Sequence, residues 1–308
     1  MRRRTFFGCL AAGCVPSLAA EPELPVAVNR TTIESAPLLV QPIPGVRIVL
    51  VANGRAASAQ LVGGMVDAAT GSETQALLNS VAQPDLRIVL TLAECRYRLV
   101  ARRSAGIRNL VDLRGRRIAV TRKTSAEYFL AEMLATARLH ESDVAVVALE
   151  GPALPAALSR HEVDAMAMWE PHAQNAIDAL GADALVLENP SGYRERFNLN
   201  TTRAVLDDPA KRRLLVNLAR ALRAVSNQLE NAPRDLQPKL AQAIATPETV
   251  LAKAWRQFRF PAALDSSKLL SALEAIEPWA AALAQRQARP SSLLAPIIDT
   301  SIGADAQN

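Results

Sequence analysis

Cysteine, histidine and aromatic residues are scarce in this 308-residue chain: three Cys, three His, and only 4% Phe, Trp and Tyr. Cys9 and Cys14 lie in the first apolar stretch, so loss of that stretch leaves Cys95 alone and excludes an internal disulfide or a thiolate metal site. His140, His161 and His172 have neither His-x3-His nor Glu-x2-His spacing. No Gly-x-Ser-x-Gly, phosphate loop or Gly-x-Gly-x-x-Gly occurs either, which removes the commonest hydrolase, nucleotide and dinucleotide signatures. No metal, cofactor or catalytic residue is expected. Past the N-terminus no window approaches the 18 consecutive apolar residues of a membrane span. Charge of one sign is lacking too: 35 basic residues stand against 30 acidic, and without Arg2, Arg3 and Arg4 the basic count falls to 32. Such a balance leaves no nucleic-acid footprint.

What is present begins with a three-part N-terminus. Arg2-Arg3-Arg4-Thr5-Phe6-Phe7 precedes an apolar stretch to Val15, and small residues follow before Glu21. A charged start, a short apolar middle and a small-residue end predict a signal peptide over 1–20, and paired arginines followed by Thr-Phe resemble a twin-arginine signal. An amphipathic N-terminal helix is the plainer alternative. Cleavage near Ala19 or Ala20 predicts a periplasmic protein. Ala11-Ala12-Gly13-Cys14 also resembles a lipobox, in which case Cys14 would anchor the chain to lipid.

From about 25 to 187, short β-branched runs alternate with helical segments, the pattern of a mainly parallel sheet covered by helices. Strands are predicted at 26–29, 47–51, 68–69, 87–92, 97–101, 117–120, 144–148, 165–168 and 184–187. Helices are predicted at 72–82, 126–139, 152–160 and 171–180. After about 207 only helices are predicted, at 209–230, 235–245, 247–255 and 266–287, and residues 291–308 read as a surface tail.

An internal echo points to two similar halves. Leu61-Val62-Gly63-Gly64-Met65-Val66-Asp67-Ala68 corresponds to Leu158-Ser159-Arg160-His161-Glu162-Val163-Asp164-Ala165, and the same offset carries Glu73 to Glu170. In open α/β sheets ligands lie beyond the carboxyl ends of strands, and four loops there are polar. Thr70-Gly71-Ser72-Glu73 and Lys123-Thr124-Ser125-Ala126-Glu127 carry Thr-x-x-Glu spacing at helix starts, readable either as capping boxes or as anion cradles. Met168-Trp169-Glu170-Pro171-His172 offers an aromatic plate beside a carboxylate, and could equally be a core tryptophan with a capping glutamate. Thr31-Thr32-Ile33-Glu34-Ser35 follows the first strand.

The Val66-Asp67-Ala68 unit, the segment Ile107-Arg108-Asn109-Leu110-Val111-Asp112-Leu113-Arg114-Gly115-Arg116-Arg117-Ile118-Ala119-Val120, the Thr124-Ser125 loop, and Val163-Asp164-Ala165 leading to Trp169-Glu170-Pro171 resemble the nitrate/sulfonate/taurine substrate-binding proteins of ABC transporters, the NMT1/THI5-like group. The resemblance covers about 25–280. It implies a type II periplasmic-binding-protein fold, α/β, with two βα lobes around a central cleft. Lobe 1 would hold 25–98 plus 202–290, and lobe 2 would hold 99–201. Ligand contacts would come from Thr31, Glu34, Ser35, Thr70, Gly71, Ser72, Thr124, Ser125, Trp169 and Glu170. The implied function is an exported, monomeric receptor that delivers a small organic or oxyanion solute to an ABC transporter permease in the inner membrane. The chain departs from the family where Pro37 and Pro42 shorten the first helix. An exported enzyme on the same fold, or a protein presenting its ligand to a sensor, are the competing functions. Helix N-termini favour an anionic solute, while Glu34, Glu73, Glu94 and Glu170 favour an amine or a nitrogen heterocycle.

Overall fold

The structure, a computed structural model, describes residues 23–307; the expected signal segment and Cys14 lie outside the described residues. Two sheets form two lobes. The first has six strands: β1 (Leu24–Asn29), β2 (Val46–Val51), β3 (Ala68–Ser72), β4 (Leu86–Cys95), β10 (Glu195–Thr202) and β11 (Phe258–Arg259), in the order β11-β4-β10-β3-β1-β2. The second has five: β5 (Arg98–Arg102), β6 (Arg117–Val120), β7 (Ala145–Ala148), β8 (Ala165–Met168) and β9 (Ala184–Leu187), in the order β7-β6-β8-β5-β9. Within each sheet three strands run parallel, β2-β1-β3 and β7-β6-β8. Their carboxyl ends face each other across the interlobe cleft, where the residues that follow them line one cavity.

The chain crosses between lobes twice. The first crossing is Arg96-Tyr97, between β4 and β5. The second departs from expectation: the chain returns over 188–194, and β10 is paired antiparallel between β3 and β4 in the first sheet, so lobe 2 ends earlier than 201. The run Glu195–Thr202 carries six polar side chains, Glu, Arg, two Asn and two Thr, and so lacks the apolar run that marks a central strand. Tertiary pairing overrides that weak local signal.

The internal echo is visible as a repeated unit. The helix Gly54–Val62 leads into β3 and the helix Ala153–Ser159 leads into β8. At equivalent places in the two turns, Gly64 and His161 adopt φ of 68° and 61°. The segment 106–115 is a pair of capped turns leading into β6. Gly106 takes φ 77° to close a 3-10 turn, Asn109 and Asp112 form a capping box around Leu110–Leu113, Ile107 and Leu113 are buried beneath it, and Gly115 takes φ 72° before β6.

The C-terminal helices, Pro209–Asn231, Pro233–Ala243, Glu248–Ala254 and Ser266–Leu283, follow the expected boundaries closely. The first of them packs on the first sheet and the others pack on neighbouring helices, Glu248–Ala254 against His172–Leu180 of the second lobe, with Leu215, Leu222 and Leu273 fully buried. The segment 291–308 is not a loose tail. Leu294, Ile297 and Ile302 are buried, Ile298 bridges Ile88 of β4, and Arg289 donates to Ser80 Oγ and Leu77 O at 3.0 and 3.1 Å. Three spaced aliphatic side chains have somewhere to go, and their burial draws the chain in.

Candidate functional site

A cleft of about 440 Å³ lies between the lobes, lined from the first by loops after β1, β2 and β3, and from the second by loops after β6, β7 and β8. Local chemistry fixes each loop. Asn29 Oδ1 accepts from the amide and hydroxyl of Thr31 at 3.1 and 2.9 Å, while its own amide donates to Thr70 Oγ1 at 3.2 Å. Asn53 caps the helix Gly54–Val62 by accepting from Ala56 N. Ser72 caps Glu73–Asn79 by accepting from Gln75 N at 3.1 Å, so the expected Thr70–Glu73 capping box is replaced by a single serine cap. Thr124 caps Ser125–Thr136.

Of the residues expected at the ligand, Thr31, Glu34, Ser72, Thr124, Ser125 and Trp169 line this cleft. Ser35, Thr70, Gly71 and Glu170 do not, and their positions correct the expectation. Ser35 is fully buried behind Thr32. Thr70 is used by the Asn29 amide, and Gly71 lies so close to Asn200 that a Cβ would meet its side-chain nitrogen at 3.3 Å. Glu170 is fully buried and ion-paired with Arg98, with Oε1 accepting from Arg98 Nε at 2.6 Å and Oε2 from Gln174 N at 3.0 Å. Burial raises its pKa while Arg98 opposes the rise; its partners leave no oxygen to spare.

The cleft also holds residues the sequence reading missed. Tyr97 sits on the first crossing, its ring 6.1 Å from that of Trp169, and its hydroxyl is 2.8 Å from Ser125 Oγ. Ser125 Oγ in turn lies 3.3 Å from Glu195 Oε1. Glu195 and Phe197 come from β10, the strand without a sequence signal. At the mouth, Arg55 Nη2 meets Glu150 Oε1 at 2.7 Å, one from each lobe. His172 lies beside Trp169 at 6.3 Å between ring centres, and burial pushes its pKa down to about 4, which keeps it neutral. Glu34 is driven the other way, up to about 8, chiefly by burial and in part by Glu170. Glu195 is raised well above the usual carboxylate value by burial, then by Glu34 and Glu73.

A family model described as NMT1/THI5 like matches residues 45–204. No curated protein matches the chain by sequence. Among solved structures, the fold is similar to the alkanesulfonate-binding protein SsuA of Xanthomonas axonopodis pv. citri bound to MOPS, with TM-score 0.71, 23% identity, and coverage of 92% of this chain and 100% of that one. It is also similar to the ligand-binding component of an ABC-type import system from Staphylococcus aureus, with TM-score 0.74, 13% identity, and coverage of 93% and 99%. The desulfurization enzyme DSZB has the same fold as well, with TM-score 0.68, 15% identity, and coverage of 93% and 99%. The type II binding-protein architecture is thus shared by receptors and by at least one enzyme.

Proposed function

Since the chain belongs to the NMT1/THI5-like family, we propose that it is a solute-binding receptor whose two lobes close over a small molecule and present it to the permease of an ABC importer. The carrying observation is the cleft itself: loops from both sheets line it, so only the closed form surrounds a solute with both sets of polar groups. A ligand that touches both lobes binds the closed form more tightly, and that difference in affinity drives closure. The N-terminal signal pattern supports export to the periplasm, either free after cleavage near Ala20 or tethered through acylated Cys14. The receptor acts as a monomer and needs no cofactor.

One observation favours a second reading, catalysis on the same scaffold. Ser125 is a cleft hydroxyl that contacts a carboxylate, Glu195 at 3.3 Å, which is the arrangement of a nucleophile beside a base. Against it, the same hydroxyl also engages Tyr97. Cys95 is fully buried, its thiol pKa raised well above normal, which makes it a poor nucleophile.

The test is mass spectrometry of small molecules carried by protein purified from its native host, followed by small-angle scattering with the identified molecule. Recovery of an unaltered solute and compaction on adding it are expected. A scattering profile unchanged at saturation, or conversion of the solute during incubation, would replace the receptor reading.

A further inference from the structure

Two carboxylates of the cleft have no basic partner. Glu34, in the turn Ile33–Ser35, is 1% exposed, and its Oε2 has no hydrogen-bond partner. Glu195, at the start of β10, is 3% exposed; its Oε2 is likewise unpartnered, and Oε1 is reached by Ser125 Oγ at 3.3 Å. A buried polar atom left without a partner costs free energy, and in a binding cleft the natural partner is the ligand. The other buried glutamates do not share this state. Glu73 accepts from Tyr193 and from the Arg196 amide, and Glu170 is held by Arg98.

No charged side chain in the cleft is free to meet a bound anion, which leaves only the weak fields of helix N-termini. Among the described residues Arg55 is the one basic side chain that lines the cleft besides His172, and it is engaged by Glu150, while His172 stays neutral. A sulfonate or carboxylate would therefore sit beside Glu34 and Glu195 with no cation to meet it. A protonated nitrogen reverses each of these terms. It brings donors to the two orphaned oxygens, and its charge is attracted to the faces of aromatic rings such as Tyr97 and Trp169, both of which line the cleft.

We propose that the solute is an organic cation, whose ammonium-type nitrogen lies between Glu34 and Glu195 and whose apolar body rests against Tyr97 and Trp169. The inference rests on the receptor reading above and narrows its ligand to one chemical class. The groups around Glu34 are Thr32, Cys95, Glu195, and Glu170 with its partner Arg98. With Glu34 protonated near neutral pH, entry of a cation displaces a proton.

The test is titration calorimetry on the chain at pH 7, with charge-reversed pairs of similar shape: benzylammonium against benzenesulfonate, and phenethylammonium against 2-phenylethanesulfonate. At least one cation should bind about 100-fold more tightly than its sulfonate partner, because it brings donors to both orphaned oxygens and pairs with Glu34 once that group gives up its proton, which a sulfonate cannot do. Its apparent enthalpy should vary with the buffer's ionisation enthalpy, reporting proton release. Glu34→Gln and Glu195→Gln should each weaken that binding roughly tenfold to a hundredfold, and Glu34→Gln should also remove the released proton, which a purely structural role would not do. If Glu34→Gln fails to fold, Glu195→Gln and the wild-type proton release decide. Tighter binding of a sulfonate, or cation binding untouched by the substitutions, overturns the proposal. Absence of heat with every probe at millimolar concentration counts against the receptor reading itself, and so against this inference with it.

Discussion

Glu73 and Glu170 occupy the same place in the two halves of the molecule, and each holds one of the two crossings between lobes. Glu73 follows β3 and accepts from Tyr193 Oη at 3.2 Å and from Arg196 N at 2.8 Å, which flank the start of β10. Glu170 follows β8 and pairs with Arg98, the first residue of β5. The two carboxylates bind the chain where it passes between the lobes.

Replacement of the two should therefore destabilise unequally. Glu73→Ala removes hydrogen bonds to a neutral amide and a phenol, at a cost of about 1–3 kcal/mol. Glu170→Ala leaves Arg98, with a side chain 13% exposed, as a buried charge without its partner, at a cost of about 3–5 kcal/mol. Urea unfolding of the two variants gives the ordering directly; equal losses would contradict it.

Stability of the unliganded protein should fall as pH rises from about 6.5 to 8. Burial raises the folded-state pKa of Glu34 to about 8 and of Glu73 to about 7, from an ordinary 4.5. The folded state then binds more protons than the unfolded one, and the stability this contributes is lost as pH rises through those values. His172 works in the opposite sense, because its pKa is lowered from 6.5 to about 4, and its contribution is lost as pH falls below 6.5. Above 6.5 the glutamates act unopposed by it. Melting temperatures across this range should decline, and Glu34→Gln should flatten the decline.

Trp169→Ala should weaken solute binding more than it weakens folding. The ring packs against Tyr97 and His172 at the cleft wall, and the side chain is only partly buried. Loss of such an anchor costs on the order of 1–3 kcal/mol of binding, measurable by titration calorimetry against the thermal melt of the same variant. A collapse in melting temperature with affinity retained would mark it as a core residue instead.

The ion pair between Arg55 and Glu150 bridges the mouth of the cleft, with side-chain exposures of 44% and 65%. Exposed pairs contribute roughly 0–1 kcal/mol and are screened by salt. Arg55→Ala should therefore speed solute release by less than about fivefold, and the difference from wild type should shrink in molar salt. Stopped-flow release rates at two ionic strengths measure both.

Removal of 290–308 should prevent stable folding. Leu294, Ile297 and Ile302 are buried by this segment, and at roughly 1.5–3 kcal/mol per aliphatic side chain their loss approaches the whole stability of an ordinary domain. A truncated chain with an unchanged melting temperature would show that the strap is dispensable.

Most strands were legible because parallel β-sheet strands buried on both faces read as apolar runs; β6 and β8 begin and end where those runs do. β10 was illegible for the same reason. Its Asn198 and Thr201 are polar yet buried, satisfied by Thr91 Oγ1 and Asp67 O, partners that no local window contains. The site follows suit. Thr31, Glu34 and Trp169 stand in loops that a strand-end rule identifies, whereas Glu195 and Phe197 reach the cleft from that hidden strand. Glu73 and Glu170 were found by the internal echo, but their role depends on Arg98, Tyr193 and Arg196, which only the folded chain places beside them.

The position of β10 also sets the order in which the molecule can be built during synthesis. β4 is almost wholly buried, yet its strand partners are β10 and β11, and its further bridges are to Ala263 and Ile298. All of these are made after it. The second lobe's strands, from Arg98 to Leu187, emerge as one uninterrupted stretch and can assemble first. Throughout that interval a ten-residue apolar strand waits with both edges unpaired, the kind of segment that recruits chaperones in the cytosol and aggregates without them. A nascent chain of this protein is therefore most vulnerable between the synthesis of β4 and that of β10.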